Sequence, residues 1–355
     1  MTPGPSRAHR GLARPSLAAA ALLAALPCGA TAVAGTICDR PHVADAPHVA
    51  MLLWRGPTEV ERGVLGHLEA RGIALNVTCL SADSNAANLP GMVAQARALA
   101  PDLVYTWGTG VTLATVGRAD RVNPELHITD IPVLFTMVAY PVESGIVPSF
   151  AAPGRNVSGA THTVPLPAQL QAMRAYRPVS SIGVIYNPLE VNSVINVQQL
   201  SDAAEAQGIE VVALPVLLDG AGQPDPSSLP LLVARLAAQQ PQFLFIGPDS
   251  FIGQHRETVI GAALSAGLPA FTGTELEIAE GSAMLGLVTS YYNLGRYMGA
   301  LIEQVLHDGL APRDIPVRTL SRFTFMVRLP VAQRLGLYPP LEVLDFAQIL
   351  LEPPP

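Results

Sequence analysis

The sequence predicts an α/β protein of two doubly wound parallel-sheet lobes in tandem, joined by a hinge with several crossings. The first observation is alternation. From His48 onward, short apolar runs exchange with amphipathic helical patterns, the order that places helices on both faces of a parallel sheet. The second is an internal repeat. Glu69-Ala-Arg-Gly-Ile73 is echoed by Glu205-Ala-Gln-Gly-Ile209, Pro101-Asp-Leu-Val-Tyr105 by Pro241-Gln-Phe-Leu-Phe245, and Ile131-Pro-Val-Leu-Phe135 by Leu268-Pro-Ala-Phe271, at spacings of 136, 140 and 137 residues. Three echoes in one order at one offset point to a duplicated unit. The third is a surplus: a helix and an extended segment remain after the second unit, so the chain is expected to return to the first lobe and make a hinge.

Before the alternation begins, Arg7, Arg10 and Arg14 precede the apolar run Leu17 to Leu26, and Ala32-Val33-Ala34 precedes Gly35. This is the order of a secretory signal peptide, so residues 1–34 are expected to be removed on export to the periplasm. The apolar run is too short to span a bilayer. Residues 1–34 carry those three arginines and no acid, so without them the formal net charge of −7 becomes −10. A chain this acidic is a poor partner for nucleic acid. Two cysteines then remain, Cys38 and Cys79, and an exported pair can form a disulfide, the alternative being buried free thiols. No CxxC or HExxH occurs and the histidines are scattered, so neither metal nor cofactor is expected.

In the first lobe, strands are expected over His48–Trp54, Ile73–Leu80, Asp102–Trp107 and Ile131–Val138, with helices over Thr58–Arg71, Leu89–Ala100 and Gly110–Ala119. The link from Pro153 to Pro178 has prolines but no long flexible run, so the lobes are joined by short ordered crossings. Val184-Ile-Tyr186 opens the second lobe as a strand stopped by Asn187-Pro188, and Val194 to Gly208 follows as a helix that Asn192 or Ser193 can cap. Late in the chain Tyr291 to His307 reads as a helix ended at Asp308-Gly309, and Ile315 to Leu329 as extended. The lobes are thus expected over 48–160 plus 290–312 and over 161–289 plus 313–340, with 341–355 a surface tail.

In open parallel sheets, ligands sit beyond the carboxyl ends of the strands. Trp54 and Arg55 end the first strand: an arginine fork holds a carboxylate and an indole covers an apolar or cationic group, whereas the alternative is an ion pair of Arg55 with Glu59 or Glu61. Trp107-Gly108-Thr109-Gly-Val-Thr112 puts glycines and hydroxyls at a helix start suited to an anion, though without a phosphate-loop lysine, and Thr109 could instead be a plain cap. Tyr140 either lines the cleft or packs beneath its turn. Asn187, Asn192 and Ser193, then Asp249, Thr274 and Glu275, complete the candidate ligand set from the second lobe; Asp249 and Glu275 could accept an ammonium or hydroxyls, the alternative being that they only cap helices. No GxSxG stands in the chain and no histidine pairs with a serine by motif, so catalysis is not expected.

Ile185-Tyr-Asn-Pro-Leu-Glu-Val-Asn-Ser193 resembles the strand and loop of a family of ABC transporter substrate-binding proteins that includes tryptophan and tyrosine binders. The resemblance continues through Pro132-Val-Leu-Phe-Thr136, Pro141-Val142 with Gly145, Pro153-Gly154 with Asn156-Val157, and Tyr291-Tyr-Asn-Leu-Gly-Arg296, over about residues 48 to 340. It implies a type I periplasmic binding fold with three crossings, a small organic solute enclosed between the lobes, a membrane permease as partner, and no chemistry; the chain is read as a monomer. The ligand loops it implies fall on Trp107 to Thr112, Asn187 with Asn192 and Ser193, Asp249, and Thr272 to Glu275. Ala139-Tyr140-Pro141 departs from the Thr-Asp-Pro of many members, and Leu276 stands where an acid is common. Fewer acids weigh against an α-ammonium ligand, so a small solute with an apolar or aromatic part is expected, any anionic group being held by Arg55. The alternative role is a periplasmic sensing partner of a receptor kinase.

Overall fold

The computed structural model describes residues 1–4 and 37–352, so the export signal expected over 1–34 lies almost wholly outside the described residues. The first half runs β1 (His48–Leu53), α1 (Glu59–Arg71), β2 (Asn76–Ser81), α2 (Leu89–Ala98), β3 (Leu103–Trp107), α3 (Thr109–Val116), β4 (Val133–Thr136) and β5 (Val157–Thr161). The second runs α4 (Leu166–Tyr176), β6 (Ser181–Tyr186), α5 (Val191–Glu205), β7 (Glu210–Pro215), α6 (Leu229–Ala237), β8 (Phe243–Ile246), α7 (Ser250–Gln254), α8 (Arg256–Ser265), β9 (Ala270–Thr272), α9 (Leu276–Ala279) and β10 (Leu285–Val288). Then follow α10 (Tyr291–Leu306), β11 (Arg318–Thr319), β12 (Thr324–Arg328), α11 (Leu329–Arg334), α12 (Leu341–Leu344) and β13 (Gln348–Leu350).

Two sheets result, ordered β11-β5-β4-β3-β1-β2 and β13-β12-β10-β9-β8-β6-β7. The inner order 2-1-3-4-5 of the first recurs as 7-6-8-9-10 in the second, so the sequence repeat is a repeat of topology. All pairs are parallel except β10 with β12. Strands buried on both faces explain the unbroken apolar runs: Val49 to Leu53, Leu103 to Trp107 and Phe243 to Ile246 are all buried. Each sheet has a core layer on either side, for example Met51 and Tyr105 with Leu294 and Met298 on one face of the first, Leu52 and Phe135 with Met92 on the other.

The chain passes from one sheet to the other three times, after β5, after β10 and after β11. The second passage brings α10 back against α1, where Gly63 and Gly295 let the backbones meet: a Cβ at Gly295 would lie 1.8 Å from the Val60 carbonyl oxygen. Glu303 on α10 ties the pair, accepting from His67 at 2.8 Å and from Arg71 at 2.8 Å. Two late segments differ from expectation. Arg318–Thr319 pairs with β5 in the first sheet, and Gln348–Leu350, expected in a surface tail, extends the second sheet beside β12 because Val343 and Ile349 pack into its core. Cys38 and Cys79 form a disulfide that fastens the segment before β1 to β2.

Candidate functional site

Residues just past the carboxyl ends of β1, β3 and β4 in the first sheet and of β6, β8 and β9 in the second line two adjoining cavities. The inner one, about 450 Å³ counting space open to solvent, is lined by Arg55, Trp107, Thr109 and Met137 from the first sheet's side and by Asn192, Asp249, Thr274 and Glu277 from the second's. The outer one, about 1050 Å³ counted in the same way, takes Trp54, Asn187 and Leu189 among others, and Trp107, Gly108, Thr109 and Asn192 belong to both.

Arg55 sits with its guanidinium carbon 5.0 Å from the centre of the Trp107 ring, a cation–π arrangement that fixes the fork without using its hydrogens. The expected alternative, an ion pair with the next helix turn, does not form. Glu59 pairs with Arg62 at 2.6 Å, while Glu61 is buried, taking the Thr58 amide at 2.8 Å in a capping box and the Tyr105 hydroxyl at 2.5 Å. Arg55 therefore has no ion-pair partner among the described residues. Gly108, at φ 89°, turns the chain into α3 and is its N-cap, so Thr109 is the first helical residue rather than the cap. The α3 amino end thus faces the inner cavity.

Opposite stands Glu277, a carboxylate that sequence reasoning missed. It is 3% exposed, accepts from the Thr274 hydroxyl, and has Thr272 Oγ1 at 3.3 Å. Burial pushes its pKa up, against the pull of Thr274 and, more weakly, of the Arg55 charge. Its position could have been found one residue from Leu276, where an acid was missed: α9 begins at Leu276 and turns the next residue inward. His162 and Tyr291 were missed as well. They sit on the first and second passages between sheets, edge-to-face at 6.3 Å, and both line the inner cavity. Burial lowers the His162 pKa to about 4, so its ring is neutral at pH 7. Trp107 Nε1 and His162 Nδ1 are buried with no hydrogen-bond partner among the described residues, and Met137 holds a strained φ of 55° at the cavity wall.

Several expected ligand residues have other work. Helix α5 starts at Val191, three residues before its expected start, because the Asn187 side chain accepts the Leu189 amide and folds the turn tightly. Asn192 and Ser193 are consequently inside the helix and cap nothing. Ser193 Oγ donates to Asp249 at 2.5 Å, while Asn192 Nδ2 donates to the Pro248 carbonyl at 2.8 Å and still lines both cavities. Asp249 also accepts the Asn187 amide at 2.7 Å and caps α7 through Ile252 at 2.8 Å. Burial, then the nearby Glu190 charge, raises its pKa to about 7. Glu190 itself accepts the Ser250 and Phe251 amides, both at 2.9 Å. Thr112 is turned to the Gly108 carbonyl at 2.8 Å, and Glu275 accepts the Tyr291 amide at 2.6 Å; neither lines a cavity. Tyr140 does not line one either. Its hydroxyl accepts from Asn196 Nδ2 at 2.6 Å, joining the loop after β4 to α5 across the two sheets' halves of the molecule. No cluster of three or more metal-ligating side chains occurs among the described residues.

The family model for ABC transporter substrate binding proteins matches residues 56–349, nearly all of both sheets. The chain belongs to this family. Among characterised relatives, the binding protein is 32% identical over 200 residues to a tyrosine-binding protein of Clostridioides difficile, a match covering 56% of this chain and 55% of that one, about half of the relative's length. The binding protein also shares its fold with the structure of a Streptococcus pneumoniae ABC domain in complex with L-Trp, at TM-score 0.75 and 23% identity over 86% of this chain and 100% of that one. A ligand-free, open substrate-binding protein with adhesive properties from Clostridium difficile matches at TM-score 0.64 and 21% identity, over 86% and 99% of the two chains. These neighbours establish the bilobal type I periplasmic binding fold. No helix among the described residues of the binding protein is long and apolar enough to cross a membrane.

Proposed function

We propose that this protein is the extracytoplasmic solute receptor of an ABC importer, that it encloses an amino acid with an apolar or aromatic side chain between its lobes, and that it hands this cargo to a membrane permease. One observation carries the choice of cargo: a cation without an ion-pair partner and a buried acid, Arg55 and Glu277, line one small cavity. An α-carboxylate suits the Arg55 fork and the amino end of α3, and an α-ammonium suits Glu277. The Trp107 ring, held under Arg55, offers an apolar wall and one free indole N–H. The acids missing near Tyr140 and at Leu276 are therefore made good by Glu277, which restores the zwitterionic ligand that the sequence alone disfavoured. The names of the relatives, a tyrosine-binding protein and an L-Trp complex, support the same class.

Thermal unfolding of the purified protein tests this. L-Tyrosine, L-tryptophan or L-phenylalanine at a hundredfold excess over Kd adds about 2.7 kcal/mol by mass action and raises Tm by several degrees. Sugars and inorganic phosphate leave Tm unchanged. The amino-acid reading falls if none of the twenty standard amino acids at millimolar concentration moves Tm.

A further inference from the structure

The inner cavity accounts for the head of an amino acid but leaves the larger outer cavity without a role. Its lining is chemically different. Trp54, Leu89 and Leu113 face it from the first sheet's side, and Leu189, Val191 and Phe251 from the second's. Its one acid, Glu190, already accepts two backbone amides of α7 and has Asn187 and Asn192 amide groups at 3.2 and 3.4 Å, so it offers little to a ligand. The compartment's wall is thus mainly apolar surface, interrupted by uncharged polar side chains such as Asn85, Gln223 and Gln254, and its one charge is engaged. This compartment also adjoins the inner one, with Trp107, Gly108, Thr109, Asn192 and Ser250 lining both. Leu189 and Val191 remain 52% and 44% exposed at its rim, on the turn that Asn187, Asp249 and Glu190 hold rigid. A turn so firmly fixed displays these two side chains in one place.

Building on the amino-acid reading above, we propose that the outer cavity is a second subsite for an apolar arm, so that the protein takes amphipathic amino acids whose side chains reach well beyond that of tyrosine. The charged head lies with Arg55 and Glu277, the arm passes Thr109 and Asn192, and its end is covered by Trp54, Leu113, Leu189 and Phe251. The enclosed space, about 310 Å³, is at the lower end of the range of pockets holding drug-sized ligands and still more than a phenol ring needs. Burial of further methylene and ring carbons there adds affinity in proportion to the apolar area removed from water.

The probe pair is L-tyrosine and O-benzyl-L-tyrosine, which differ by one aryl arm, titrated calorimetrically into the whole protein. The benzyl ether is expected to bind at least tenfold more tightly than tyrosine. In the double variant Leu189→Ser, Val191→Ser, both sites being already exposed and so tolerant of change, the ratio of the two affinities is expected to fall at least threefold. If tyrosine binds and the benzyl ether binds more weakly, the second subsite is refuted while the amino-acid reading stands. An affinity ratio the same in the double variant as in the wild type also refutes it. If neither probe nor any other amino acid binds, the amino-acid reading itself fails and the subsite with it.

Discussion

At the scale of single residues, the two charges of the inner cavity make opposite demands on a ligand and can be tested separately. Arg55→Ala is expected to raise Kd for an amino acid more than about tenfold, the loss of one charge-assisted hydrogen bond. Glu277→Gln keeps the shape and the hydrogen-bonding reach to Thr274 but removes the charge, and a similar loss is expected in the same titration. Unchanged affinity in either variant would release that residue from the site. Asp249 gives a different readout. Its pKa stands at about 7 in the fold against 3.8 as a free side chain, because burial and Glu190 disfavour its charge. Between those values the folded state keeps a proton that the unfolded state has lost, so this group's contribution to stability falls as pH rises from about 4 to about 7. Urea unfolding at pH 4.5 and 7.5 should therefore show Asp249→Asn gaining on the wild type as pH rises. A difference between the two proteins that is flat in pH would contradict this assignment. The strand ends bearing Arg55, Trp107 and Asp249 were legible in the sequence, since each follows an apolar run. Which side chain at each end points inward was not, because that depends on where the next helix begins: α5 opens at Val191 and α9 turns Glu277 inward.

At the scale of elements, the packing of α10 on α1 sets how closely the returning chain fits the first sheet. A methyl group at Gly295 would meet the Val60 carbonyl oxygen at 1.8 Å, backbone that cannot swing aside. Gly295→Ala is expected to cost about 1–3 kcal/mol as overpacking, seen as a lower urea midpoint with an unchanged slope. Gly261, within α8, provides the contrast, since a methyl group there would have nothing within 4 Å. Gly261→Ala should stabilise by about 0.5–1 kcal/mol, the ordinary preference of a helix interior for alanine. If both variants behaved alike, the close helix contact would not be what Gly295 serves. The helix itself was legible from its apolar spacing. Its partner was not, since Glu303 meets His67 and Arg71 across more than two hundred residues of sequence. For the same reason β13 escaped notice: three residues of a proline-flanked tail become a strand because β12 lies beside them.

At the scale of the whole molecule, the Tyr140–Asn196 hydrogen bond is a contact between halves that carries no ligand. Tyr140→Phe leaves Asn196 Nδ2 buried without this acceptor, a cost of about 1 kcal/mol against the arrangement of the halves in the structure. Ligand affinity should drop about fivefold as the competent population shrinks, with the calorimetric stoichiometry unchanged. An unaltered Kd would show that the binding-competent arrangement does not depend on this bond. The three passages between the sheets have one more effect, on how the chain is made. Neither lobe is a continuous stretch of sequence. The first waits for α10 and β11, and the second for β12 and β13, all drawn from residue 291 onward. A ribosome that has delivered residue 280 has delivered no finished lobe, so the polypeptide stays without its complete native sheets until β13 has been made.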